Sequence, residues 1–170
     1  MNTKKENDIL EITLSIAESG YAEAYRFLAE AYEKDAGSFG PQALYFLACL
    51  AGGADMSEKA LAWIRKAVAD NGWWYRPEVL EDGDLEPIKD NAEFIALKAV
   101  SDARYADAAA KAKEVFSWEG KKTEKLLLAV HGNTQNGQTA RNDWEPVLFT
   151  EQKMAVVAQT EEFDYWETTL

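Results

Sequence analysis

Histidine and cysteine occur once each in these 170 residues, as His131 and Cys49, and there are only four prolines. A single cysteine excludes an intramolecular disulfide and any cysteine-rich metal centre. Cys49 sits in the apolar run Ala43 to Leu50, where a small buried core residue is expected. The acids that follow His131, Asp143, Glu145, Glu161, Glu162 and Asp164, show no metal-ligand spacing, so no metal or other cofactor is expected. Positive charge is also scarce. Lys and Arg number 18 against 30 Asp and Glu, a net charge of -12 spread along the chain. Such a surface repels phosphate backbones, so neither nucleic acid nor an anionic membrane is an expected partner. The longest apolar run, near Leu44 to Ala51, falls well short of the roughly 20 residues a membrane helix needs. No basic-then-apolar leader pattern opens the sequence, and a cytoplasmic location is the expectation.

What the sequence does contain is a repeat. A shift of 36 residues lays Leu14 on Leu50, Ala24 on Ala60, Phe27 on Trp63, Leu28 on Ile64, Ala31 on Ala67 and Tyr32 on Val68. Ala24, Tyr25, Leu28, Ala31 and Tyr32 fall on one helical stripe, and Ala60, Leu61, Ile64, Ala67 and Val68 reproduce it. Each striped helix follows another apolar helix, Ile9 to Ala17 and Gln42 to Ala51, with Ser19-Gly20 and Gly52-Gly53 as the expected turns. The small residues Ala48, Ala60 and Ala67 permit close approach of the helices, ridge into groove. In the first unit Ile12 stands where Ala48 stands in the second.

Period and register then break down. Asp70-Asn71-Gly72 ends the second unit, and Trp73-Trp74-Tyr75 follows, with core or capping use favoured over a ligand platform. Pro77 opens a short helix through Leu80. Asp90 with Glu93 is expected to cap a helix beginning Phe94, Ile95, Leu97. Together these form a degenerate third unit covering the last apolar face. Glu81, Asp82, Asp84, Glu86 and Asp90 lack EF-hand spacing and read as a solvated acidic turn. The alanine- and charge-rich stretch from Ser101 predicts a solvent-facing connecting helix to about Trp118, stopped by Gly120-Lys121-Lys122.

Periodicity changes after residue 120. Leu126 to Val130 is a continuous apolar run suited to a strand buried on both faces, and Met154 to Ala158 is another. A polar loop, His131 to Gln138, and a helix-compatible stretch with Trp144, Val147 and Leu148 lie between them. That order predicts a β-α-β unit with a right-handed parallel crossover.

Two resemblances follow from these residues. Leu44, Leu47, Ala48, Ala60, Ile64 and Ala67 resemble the tetratricopeptide signature, with Sel1-like repeats as a close relative because the period is slightly long. The run Leu128-Ala129-Val130-His131-Gly132-Asn133, followed by Trp144-Glu145-Pro146, resembles the start of an α/β-hydrolase of the phospholipase/carboxylesterase (predicted esterase) type. The second resemblance implies an oxyanion-hole-like loop at His131, Gly132 and Asn133. Asn133 would donate a backbone N–H there, and Gly132 would let the backbone approach the substrate. Neither a Gly-x-Ser-x-Gly elbow nor any serine after Ser117 is present, and His131 lies in the oxyanion loop, so no catalytic triad can be assembled from these residues.

The expected architecture is therefore mainly α. Residues 1–120 form a tetratricopeptide-like helical-hairpin array with a capping unit and connecting helix, and residues 121–170 a partial α/β-hydrolase-like β-α-β segment. The repeat packing is assigned to Ala24, Leu28, Ala31, Ala48, Ala60, Ile64 and Ala67. A scaffold for a protein or peptide partner, attached to an incomplete esterase-like segment that is not itself catalytic, is the expected function. The alternative is the N-terminal part of a repeat-linked serine esterase whose catalytic residues lie beyond Leu170. A homodimer completed through an exposed sheet edge in the C-terminal segment is a further expectation.

Overall fold

The computed structural model describes residues 3–111 and three strand segments, and the fold is mainly α. The chain divides into two compact units, Met1–Tyr105 and Ala106–Leu170. In the first, α1 (Thr3–Ala17) and α2 (Tyr21–Lys34) form one helical hairpin, and α3 (Pro41–Gly53) and α4 (Ser57–Arg65) form a second. A π-helical turn, Lys66–Asp70, extends α4. Two 3-10 segments, Pro77–Glu81 and Gly83–Ile88, lead into α5 (Ala92–Lys111).

The start of α3 is set by Pro41, which is pre-shaped for the first helical turn and needs no donor there. Its free N–H groups are met from another helix: the buried carboxylate of Glu6 on α1 accepts from Gly40 N at 2.8 Å. The far end closes in a Schellman arrangement, with Met56 N bonded to Ala51 O and Asp55 N to Gly52 O. Asp55 occupies the left-handed position there, at φ 59°.

The turn between α3 and α4 thus falls on Ala54 to Met56, not on the expected pair Gly52-Gly53, which lies inside the helix. Those glycines serve close approach instead. A Cβ on Gly52 would collide with the carbonyl oxygen of Asp84, and one on Gly53 would meet the ring of Tyr21.

Leu44, Leu47, Ala48, Ala60, Ile64, Ala67 and Val68 are buried, as are Ala24, Leu28 and Tyr32; Ala31 is half-buried. Tyr32 and Trp63 meet edge to face, 5.2 Å between ring centroids, and the Trp63 indole N–H donates to Tyr25 Oη at 3.2 Å. Trp74 and Tyr75 are fully inside. The Tyr75 hydroxyl donates to Pro41 O at 2.8 Å, and its backbone N–H donates to the Ser101 hydroxyl at 2.8 Å.

That last bond corrects the solvent-facing helix expected from Ser101 onward. Ser101 is buried, and Arg104 donates to the carbonyls of Val68 and Trp73 at 2.6 and 3.1 Å. A single long helix runs from Ala92, and its first N–H groups are capped by Asn91 in place of the expected Asp90. The Asn91 side-chain oxygen accepts from Glu93 N at 2.8 Å.

The second unit contains β1 (Val115–Glu119), β2 (Leu126–Val130) and β3 (Lys153–Ala158) in the order β1-β3-β2. β2 pairs with β3 in parallel, Leu126 opposite Lys153 and Val130 opposite Val157. The connecting helix expected to reach Trp118 is replaced by β1, antiparallel to β3 with Val115 opposite Ala158. Val115, Phe116 and Trp118 are bulky β-formers, and they outweigh the helix propensity of the alanine stretch before them. The helix expected between β2 and β3, around Trp144, Val147 and Leu148, lies outside the described residues.

Candidate functional site

Two features of the helical unit concentrate chemistry. The first lies along one face of α3, where Tyr45, Cys49 and Gly52 follow one another at helical spacing. The loop carrying Asp82 and Asp84 packs against this face. Tyr45 donates its hydroxyl to Asp82 Oδ2 at 2.6 Å, Asp82 Oδ1 accepts from Asp84 N at 2.8 Å, and Tyr21 bonds the Asp84 carboxylate. Asp82 and Asp84 are therefore partners in a part-buried hydrogen-bonded node, not the solvated acids expected from sequence. Burial first, and the neighbouring Asp82 charge second, raise the pKa of Asp84. Burial, then Asp82, also push the Cys49 thiol well above its ordinary value, with Tyr45 as its hydrogen-bonding partner.

The ligand atoms of Cys49, Asp82 and Asp84 lie within 4.8 Å of one another, a spacing a metal ion would accept. A metal would have to displace the tyrosine hydroxyls and deprotonate a thiol that burial holds protonated. The node is thus built as a lock that joins α2, α3 and the acidic loop, with its buried polar groups satisfied.

The second feature is an open cavity of about 620 Å³ between the Pro77–Glu81 segment and the first half of α5. Its floor is Leu80 and Phe94, both buried, and Ile95 stands at the rim with 56% of its surface exposed. Lys98 bonds Asp102 Oδ2 at 2.9 Å and faces Glu81 at 3.8 Å. The other carboxylate oxygen, Asp102 Oδ1, is buried and has no hydrogen-bonding partner.

Of the residues assigned to repeat packing, Ala24, Leu28, Ala48, Ala60, Ile64 and Ala67 are buried in the helical unit and Ala31 is half-buried. The loop residues His131, Gly132 and Asn133 lie outside the described residues, although β2 ends at Val130, immediately before them. Neither the tyrosine–carboxylate node nor the cavity was anticipated. A signal for the node exists in the sequence, in the common helical face of Tyr45, Cys49 and Gly52. Its acidic half comes from a loop some thirty residues away, which no periodicity connects to that face.

These observations define a mainly helical unit of packed hairpins followed by a strand-bearing unit. Residues 5–109 match the family described as A/B hydrolase-like, N-terminal domain, and the chain belongs to that family. The match falls on the helical residues, whereas the hydrolase resemblance was read from the last third of the sequence. No curated protein matches the chain. Among solved structures, the chain is similar to an uncharacterized protein from Bacillus cereus ATCC 10987, a crystal structure at 2.75 Å resolution. Identity is 27%, the TM-score is 0.57, and the likeness covers 95% of this chain and 53% of that one. The chain thus spans about half the length of the solved structure it matches.

Proposed function

We propose that the helical unit is a non-catalytic interaction module that works beside an α/β-hydrolase of the esterase type. The observation that carries this reading is the coincidence of the family match, residues 5–109, with the packed hairpins. Within those residues there is no histidine to serve as a general base, and the cysteine is buried and held protonated, so neither a serine–histidine nor a cysteine–histidine pair can form there. The hairpins resemble tetratricopeptide units, which supports a protein or peptide partner. The parallel pairing of β2 and β3, with His131 directly after β2, supports reading residues 121–170 as a β-α-β opening of a hydrolase sheet. His131, Gly132 and Asn133 are its oxyanion-hole-like loop by resemblance.

The test is hydrolysis of p-nitrophenyl acetate and butyrate by the 170-residue chain. Background rates are expected, unchanged by a fluorophosphonate. Turnover abolished by that reagent would overturn the non-catalytic reading.

A second reading is favoured by the length of the similar solved structure. In it the chain is the N-terminal part of a repeat-linked serine esterase, with the nucleophile, acid and base beyond Leu170. A reading frame that continues into a Gly-x-Ser-x-Gly elbow, giving a longer protein with ester turnover, would establish it. A stop codon directly after Leu170 would sink it.

A further inference from the structure

We propose that the outer face of α5 is a self-association surface on which a second copy of this chain docks, its own α5 running antiparallel. This rests on the interaction-module reading above and names one partner for it.

The polarity of this helix is inverted. Ala92, Ile95, Ala96, Ala99, Ala103 and Ala106 are exposed, Val100 stands beside them, and no charge interrupts them. The charged side chains of the same stretch are half-buried and held in bonds. Glu93 accepts from Arg65 at 2.8 Å, Lys98 pairs with Asp102 at 2.9 Å, and Arg104 donates to the carbonyls of Val68 and Trp73. A surface helix ordinarily keeps its apolar stripe inward and its charges in water. Here Phe94, Leu97 and Ser101 are buried on one side, and the opposite side is apolar as well. Ile95 and Val100, 56% and 43% exposed, make that side more than a run of alanines.

Spacing identifies the occupant. Ala92, Ile95, Ala99, Ala103 and Ala106 follow one another at steps of three, four, four and three, the alternation of a helix–helix seam. Those steps read the same in both directions, so the seam is symmetric about Ala99. An antiparallel copy centred there sets each Ile95 against the partner's Ala103, and each Ala92 against the partner's Ala106. The large side chain meets a small one twice, once on each side of the two-fold axis, and the remaining alanines let the two backbones close.

Charge points the same way. With a net charge of -12, two copies repel over most of their surface and approach at least cost where neither carries charge. A basic or acidic partner finds no counter-charge along this seam, whereas a second copy needs none. At 1.5 Å per residue the seam runs roughly 21 Å, short for an obligate interface, so a reversible dimer of about micromolar affinity is expected.

The experiment is sedimentation equilibrium of the full chain from about 1 to 300 µM, where a rise from monomer to dimer is expected. Ala99→Glu and Ala99→Arg each place like charges face to face on the two-fold axis, and each is expected to weaken the dimer about tenfold or more. Mixing the two variants is expected to restore a dimer of one copy of each, since opposite charges then meet; that rescue excludes misfolding as the cause of the loss. Ile12→Glu, at an exposed apolar position on α1, is expected to leave association unchanged. A monomer at every concentration would overturn the proposal, as would a dimer indifferent to Ala99→Glu, a loss equal to it in Ile12→Glu, or a mixture no more associated than either variant alone. These readouts are masses, so the ester assay judges the non-catalytic reading separately.

Discussion

The two helical hairpins of the first unit share a sequence pattern and live in different environments. Their second helices agree closely: Ala24 and Ala60 are buried, as are Leu28 and Ile64, and Tyr32 and Val68. Their first helices do not. Leu14 and Leu50 align at the 36-residue shift, yet Leu14 is 53% exposed and Leu50 only 5%. Ile12 is 51% exposed where its counterpart Ala48 is fully buried. α1 packs mainly on α2, so one flank stays open. α3 is covered by α2, α4 and the 3-10 segment Gly83–Ile88, and it is apolar almost all round. A repeat therefore transmits the inward stripe faithfully, while position in the stack decides what the other faces must be.

Substitution at the aligned leucines breaks this symmetry most sharply. Leu50→Ala is expected to cost about 3 kcal/mol by leaving a cavity where a buried side chain was, whereas Leu14→Ala should fall within about 0.5 kcal/mol of wild type. Urea denaturation of both variants reads the difference, and similar losses would remove the distinction between an enclosed and an edge helix.

Gly52→Ala is expected to cost about 2 to 3 kcal/mol, since the added methyl must push the Asp84 carbonyl away from α3. Gly20, in the turn of the first hairpin, has open space around it, and Gly20→Ala should be milder. Thermal melts of the two variants test this ordering.

A smaller gain is expected from Asp55→Gly. Asp55 sits at positive φ in the helix-ending turn, where glycine is unstrained, so stability should rise by about 0.5 to 1 kcal/mol. An unchanged urea midpoint would mean that the aspartate already tolerates the position.

The subtlest effect concerns pH. Burial raises the Glu6 pKa above the usual 4.5, outweighing the backbone N–H groups of Gly40 and Ala43 that lower it. A raised carboxyl pKa means the folded state holds the proton more tightly than the unfolded chain. The contribution is thus complete below about pH 4.5 and lost as pH rises through the folded value. Relative to Glu6→Gln, wild type should lose stability over that window, and parallel stability–pH curves for the two proteins would refute the assignment.

Much of this was legible in the sequence because helical periodicity reports burial directly. The two stripes, the buried Cys49 and the strands at Leu126 to Val130 and Met154 to Ala158 were recoverable from apolar spacing alone. Gly52 and Gly53 misled because a glycine pair marks a chain reversal and a close helix contact equally well, and only the Asp84 backbone pressed against α3 distinguishes them. Asp82 and Asp84 looked solvated because their partners, Tyr45 and Tyr21, lie far off in sequence. β1 was hidden because a five-residue strand with three β-formers, Val115, Phe116 and Trp118, follows a long run of helix formers with no breaker between them.

The guanidinium of Arg104 ties the carbonyl of Val68, in the π-helical turn, and that of Trp73 to α5. The first unit accordingly ends at a clasp and not at a repeat boundary. A chain shortened to Val100 would keep both hairpins, yet it would lose Ser101 and Arg104 together and fray backwards from Tyr75 toward Val68. The smallest piece that folds as one cooperative body is set by that clasp.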